Sequence, residues 1–183
     1  MSPAASRQMA EDPTKGFQPI AGPVANTLVL GTLPSQQSLL KHQYYGHPRN
    51  AFWPIMGELF GAGLNLPYTE RVEVLTKEGV AVWDVLRSGS RPGSMDAAID
   101  EATAIPNDFA SFYNEHPGLQ LICFNGQAAN RLFHKLVPPE IQSSLSAVKF
   151  VTMPSTSPAY AAMGFEEKLR RWALISAESE KQE

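Results

Sequence analysis

The chain has 183 residues, 43% hydrophobic and 18% charged, with one cysteine and a formal net charge of −3. That length suits a single domain with one sizeable core, and the balance excludes a disordered chain, which needs less apolar and more charged sequence. A lone cysteine, Cys123, excludes an internal disulfide, a zinc site or an iron–sulfur cluster, and no run approaches the ~18 apolar residues of a membrane span.

Residues 1–24 are rich in Ala, Ser and Pro and lack periodicity, which predicts a flexible or loosely docked leader. Thr27–Gly31 reads as a short buried strand, followed by a long loop through Asn50. Ala51 to Phe60 predicts a helix with Phe52, Ile55, Met56 and Leu59 on one face and Pro54 tolerated in its first turn. Residues 68–78 predict a second amphipathic helix and Val80 to Leu86 a strand, with a loop over Arg87–Ser94. A helix is expected over 107–115, a strand over Leu119–Phe124 and a helix over Gly126–Leu136. A fourth strand, Lys149 to Met153, leads into Pro154-Ser-Thr-Ser-Pro158, and a last helix begins near Phe165. The domain is expected over residues 25–176, with a polar tail over 177–183.

Short apolar strands alternating with helices predict an α/β fold of three layers, α/β/α, around a central, mostly parallel four-stranded sheet. In such sheets the site lies outside the carboxyl ends of the strands. The loop after Gly31, the turn at Asn125-Gly126 and the loop after Met153 are expected to converge on one crevice there.

The run Leu30-Gly-Thr-Leu-Pro-Ser35, followed by Gln43-Tyr-Tyr-Gly-His-Pro-Arg-Asn-Ala-Phe-Trp53, resembles the hypoxanthine-DNA glycosylase group of the uracil-DNA glycosylase superfamily. Phe124-Asn125-Gly126 and Met153-Pro-Ser-Thr-Ser-Pro-Ala159 resemble the later strand–turn and the C-terminal loop of that group, in the expected order. The resemblance implies a DNA-repair enzyme that flips a deaminated base, hypoxanthine in preference, out of the duplex and hydrolyses its N-glycosidic bond. It implies no cofactor and no metal, and His42, His116 and His134 show no metal spacing. The implied partner is double-stranded, or single-stranded, DNA bound by a monomer, in a cytoplasmic protein associated with the nucleoid. Two alternatives stay open: a uracil-DNA glycosylase of G·U mismatches, and a catalytically weak or inactive DNA-binding member of the fold.

Residue by residue, the resemblance assigns catalysis to Asn50 and stacking on the flipped base to Tyr45. The slot that positions water with Asp or Asn in many relatives holds Leu33, and Met153 stands where efficient uracil enzymes carry His. Backbone groups around Thr32, Leu33 and Ser35 are expected to meet the base and the adjacent strand. The competing reading of Asn50 is a helix cap. Asn125 reads either the Watson–Crick edge of the base or serves as a turn residue before Gly126. Ser155 and Thr156 are candidate phosphate ligands, or an ordinary Ser/Thr turn. Ser157 or Tyr160 is expected to fill the gap in the stack. Arg49 and Arg91 are candidate phosphate or base contacts, with solvated surface the commoner state of such arginines, and His47 is expected to fix its loop. Asp84 and Asp96 are the nearest candidates for a catalytic carboxylate and are set aside, because no spacing argument lifts either above a surface or capping residue.

Overall fold

A computed structural model describes residues 12–179 of the chain. The first element, β1 (Thr14–Lys15), pairs antiparallel with Ser88 and Gly89. Ile20 then bridges Val82, and the Phe17 carbonyl accepts from the Trp83 indole at 3.1 Å. Of the flexible or loosely docked leader expected over residues 1–24, Thr14 to Ile20 is docked, hydrogen-bonded to both sheets of the fold; residues 1–11 lie outside the described residues. Phe17 and Ile20 drive the docking by carrying apolar surface against the core.

The chain continues through β2 (Thr27–Gly31), α1 (Gln36–Lys41), α2 (Phe52–Phe60), α3 (Tyr68–Lys77) and β3 (Val80–Asp84). It leaves β3 at Val85, whose N–H donates to the Gly31 carbonyl, and resumes as β4 (Leu86–Ser90). β4 pairs antiparallel with β5 (Asp100–Pro106), so β1, β4 and β5 form a second, three-stranded sheet. The expectation of one strand through Leu86 followed by a loop over 87–94 is corrected here. Val85 and Leu86 are as buried as β3 itself, so hydrophobicity does not mark where the chain changes sheets. The Arg-Ser-Gly-Ser composition of residues 87–90 reads as loop until a partner strand is supplied.

The remaining elements are α4 (Phe109–Glu115), β6 (Leu121–Asn125), α5 (Gln127–Leu136), α6 (Pro139–Ser144), β7 (Lys149–Met153), α7 (Phe165–Trp172) and α8 (Leu174–Ser179). α4 starts two residues later than expected because Asp108 caps it, its carboxylate accepting from the Ser111 N–H at 3.0 Å. The polar tail expected from residue 177 enters α8 over residues 177–179.

The main sheet runs in the order β3–β2–β6–β7, every pair parallel. Parallel neighbours require crossover segments, and helices fill that role while covering the sheet. Two aromatic clusters join the helices to it. Phe52, Trp53, Tyr68 and Trp172 tie α2, α3 and α7 together. Phe109, Phe124, Phe133 and Phe150 tie α4 and α5 to β6 and β7. Each such ring contributes about 1.5–3 kcal/mol when fully buried. The expected α/β fold with a four-stranded parallel sheet flanked by helices is the one found, and its register sets Asp84 beside Gly31 and Asn125 beside Met153 at the carboxyl edge.

Candidate active site

A cavity of about 320 Å³ opens at that edge, walled by the loops after β2, β6 and β7 and by the segment Ser94–Ala97. The three loops expected to converge do so. All the residues singled out from the sequence for catalysis or base binding line it, as do Ser35, Ser155, Thr156, Ser157 and Tyr160; Arg49 is exposed and lies outside it.

Tyr45 enters from a backbone held in the left-handed region, φ 53°, a conformation uncommon for a residue with a side chain. The chain around it is pinned on both sides. The Trp53 indole donates to the Tyr44 carbonyl at 2.8 Å, the Tyr68 hydroxyl accepts from the Tyr44 N–H at 3.0 Å, and Lys41 Nζ donates to the Gly46 carbonyl at 2.8 Å. Such over-determination is what sustains backbone strain at a site. Phe52 stacks on one face of the Tyr45 ring at 4.1 Å. The hydroxyl is buried and has no hydrogen-bond partner among the described residues. Burial, reinforced by the nearby Asp84 carboxyl and opposed by the Asn125 side chain, which lies close without completing a hydrogen bond of good geometry, pushes it well above the ordinary tyrosine range, so it stays a neutral donor.

Asn50 stands where α2 begins. Its Oδ1 accepts from the Phe52 N–H at 2.9 Å, from the position before the N-cap residue Ala51, so it satisfies a first-turn amide without being the cap itself, while the residue also lines the cavity half-exposed. The Ala51 N–H donates to the Thr156 carbonyl at 2.9 Å, tying this wall to the C-terminal loop. His47 fixes its loop: Nδ1 accepts from the Arg49 N–H and its carbonyl from the Asn50 N–H.

On the β6–β7 side, Asn125 donates from Nδ2 to Thr156 Oγ1 at 2.8 Å and accepts at Oδ1 from the Thr156 N–H at 2.9 Å. Thr156 is 1% exposed. The expectation that its hydroxyl meets phosphate is therefore corrected: the group is buried and engaged in locking the loop. Ser155 Oγ accepts from the Ser157 N–H, and Ser157 Oγ from the Ala159 N–H. Gly126 makes the close approach possible, since a Cβ there would sit 3.1 Å from Ser155 Cβ at a φ of 96°. Tyr160 stands exposed at the rim, its carbonyl accepting from Lys168 Nζ at 2.9 Å.

The opposite wall is ionic. Arg91, expected at the solvated surface, is 7% exposed and donates to the Leu33 and Pro34 carbonyls and, at 3.2 Å, to Asp96. Thr32 Oγ1 donates to the same Asp96 oxygen at 2.6 Å. This network stitches the loop after β2 to the turn at Asp96–Ala98 and makes Arg91 unavailable as a phosphate ligand. Ser35 caps α1, accepting from the Ser38 N–H at 3.1 Å. The Leu33 side chain packs toward Gly89 of β4.

Asp84, set aside on the sequence, belongs to the site. It ends β3 in the cavity wall, 4% exposed, with Oδ2 lacking a partner among the described residues. A Cβ on Gly31 would lie 2.6 Å from Asp84 Oδ1 and 3.2 Å from the Tyr45 hydroxyl, so glycine there is what lets the two groups approach. Burial pushes the Asp84 carboxyl up to about 7; Arg91 opposes this and Asp96 adds to it. A signal existed: a carboxylate at the carboxyl end of a parallel strand. Drawing the strand on to Leu86 hid it.

The family model described as the uracil DNA glycosylase superfamily matches residues 19–176. A hypoxanthine DNA glycosylase of Methanosarcina acetivorans is 39% identical over 116 residues, 63% of this chain and 72% of that protein. A protein of the same name from Methanosarcina barkeri is 38% identical over 114 residues, 62% and 71% of the two chains. The solution NMR structure of a candidate uracil DNA glycosylase from Methanosarcina acetivorans aligns with a TM-score of 0.74 at 31% identity, covering 92% of this chain and 99% of that one. Because the family match takes in every strand of the parallel sheet and all three loops that wall the cavity, the chain belongs to the uracil DNA glycosylase superfamily.

Proposed function

We propose that this chain is a DNA N-glycosylase that removes deaminated bases, hypoxanthine in preference, from double-stranded DNA as a monomer and leaves an abasic site. The juxtaposition of the Tyr45 ring and the Asn50 amide in one strand-end cavity carries the reading, and the two curated relatives named hypoxanthine DNA glycosylase support the choice of base. A base must leave the stack to be processed, at a cost of a few kcal/mol that is least for a mispaired base. Tyr45, backed by Phe52 on one face, offers the other to the extruded base; such stacking contributes about 1–3 kcal/mol. Asn50 keeps its Nδ2 and a second Oδ1 lone pair to orient water. Water adds to C1′ as the C1′–N9 bond breaks and its electron pair leaves with the base. Asn125, held by Thr156, presents the remainder of its amide to the cavity. Tyr160, exposed at the rim, is the group we assign to the gap in the stack, since the Ser157 hydroxyl is short and bonded within its own loop.

The test is strand cleavage, with alkali, of labelled duplexes carrying one hypoxanthine, uracil or xanthine. Release of hypoxanthine with little uracil is expected. Efficient release of uracil opposite guanine would transfer the activity to mismatched uracil. Binding without cleavage of any lesion would reduce the chain to a DNA-binding module.

A further inference from the structure

Among the described residues, four buried side-chain polar atoms lack hydrogen-bond partners, and three of them belong to cavity residues: the Tyr45 hydroxyl, Asp84 Oδ2 and Arg91 Nε. Buried polar atoms are nearly always paired, so a cluster of exceptions in one wall calls for an occupant. No histidine or lysine is among the residues that line the cavity. Its two carboxyl groups differ in their commitments. Asp96 accepts from both Thr32 and Arg91 at one oxygen. Asp84 keeps Oδ2 without a hydrogen-bond partner among the described residues and sits deeper.

We infer that Asp84 is a catalytic acid of this cavity, donating a proton from its carboxyl to the exocyclic oxygen of the departing base. The inference rests on the glycosylase reading above. As the C1′–N9 bond breaks, its electron pair passes into the purine ring. The charge that develops on the 6-oxo oxygen takes the Asp84 proton, so the base leaves as a neutral hydroxy tautomer. Water supplies hydroxide to C1′ and its remaining proton restores the carboxyl through solvent, leaving enzyme and charge balanced. An amide such as Asn50 orients but does not deliver a proton, and Met153 at the end of β7 carries none. Asp84 therefore supplies the proton that neither Asn50 nor Met153 can give. The groups facing it are Arg91 beyond β4, Asp96 in the adjoining turn, and the Tyr44 and Tyr45 hydroxyls of the loop before α2. Burial outweighs the guanidinium and holds the proton to about pH 7, where a general acid is most effective.

The test is single-turnover release of hypoxanthine opposite thymine by the full chain between pH 5.5 and 9, for the wild type and Asp84→Asn. A wild-type rate that falls above about pH 7 is expected. Asp84→Asn is expected to be slower by about 100-fold at pH 6, in the range of general-acid effects, and to lose that pH dependence, while duplex binding persists and the melting temperature is no lower than that of the wild type. Carbon-13 NMR of the aspartate carboxyls adds a readout independent of turnover, and one resonance, absent from the variant, should titrate near 7 in the wild type. A wild-type profile flat through pH 7, an Asp84→Asn variant that keeps the same limb, or an Asp84 resonance titrating near 4 would each overturn the assignment while leaving hypoxanthine release intact. Failure of the wild type to release hypoxanthine at any pH would instead take down the parent reading and the assignment with it.

Discussion

The two walls of the cavity are built on opposite plans. On the β6–β7 side, Asn125, Thr156, Ser155 and Ser157 bond to one another or to the local backbone, and the Asn125 amide closes a two-bond clasp on Thr156. On the β2–β3 side, Tyr45, Asp84 and Arg91 bring buried polar atoms together and leave three of them without hydrogen-bond partners among the described residues. The first wall is shape and the second is capacity. A satisfied network rigidifies a loop, whereas an unsatisfied buried group costs stability and persists where its occupant belongs to the function. The residues that look most like ligands by composition, the Ser-Thr-Ser run, turn out to be largely structural. An aspartate with no motif around it holds the most reactive position.

Substitutions can break or sharpen this contrast. The largest effect is expected from Asn50→Ala, which should lower hypoxanthine release by about 100-fold or more, with a stability loss of only ~1 kcal/mol from the missing hydrogen bond to the Phe52 N–H. Wild-type release by the variant, in the strand-cleavage assay, would return Asn50 to that structural role alone.

The pH dependence of stability comes next. Asp84 is held up to about 7 when folded, against an ordinary carboxylate value of 3.8. The folded state therefore binds the extra proton between pH 4 and 7, and stability falls as pH rises through that window. Asp84→Asn removes the burden, so its advantage over the wild type should grow from nothing near pH 4 to roughly 2–4 kcal/mol at pH 8, read by urea unfolding at each pH. A constant difference across the window would show that the carboxyl is not strained by burial.

On the opposite wall, Asn125→Ala should cost about 2–3 kcal/mol at every pH, because it strips two partners from buried Thr156. An equal cost for this variant and for Ser157→Ala, whose hydroxyl accepts only one bond from the Ala159 N–H in a half-exposed loop, would deny the clasp its special place. The smallest change is expected from Tyr45→Phe. Removing an unpaired hydroxyl should shift stability by less than about 1 kcal/mol and leave stacking in place, whereas Tyr45→Ala should slow excision by about tenfold or more. Equal losses of activity would show that the hydroxyl, not the ring face, meets the base.

Much of this was legible before any coordinates. Periodicity placed all four parallel strands, because a strand buried on both faces reads as an unbroken apolar run, and it placed α2, α3, α4, α5 and α7; the six-residue helices α1, inside the expected long loop through Asn50, and α6 are too short to show a period. The rule that sites lie beyond strand carboxyl ends then located the cavity. The second sheet was not legible. β4 is Leu-Arg-Ser-Gly-Ser, with alternating burial and bulges against β5, and such a segment becomes a strand only when a partner is adjacent. The same difficulty concealed the docked segment from Thr14 to Ile20, whose pairing partners lie more than 60 residues away.

Local chemistry written in the chain thus determined the strands of the parallel sheet, most of the helices and the motif loops that wall the cavity, since each depends on neighbours within a few positions. Only the tertiary structure decided which of those residues remain available. Asn125 and Thr156 satisfy each other across 31 positions, Arg91 turns inward to carbonyls 57 and 58 positions back, and Asp84 is left buried beside Gly31 with a proton to hold. Hydrogen-bond satisfaction and desolvation are set by whatever lies within a few ångströms in space, and a sequence orders residues only along the chain.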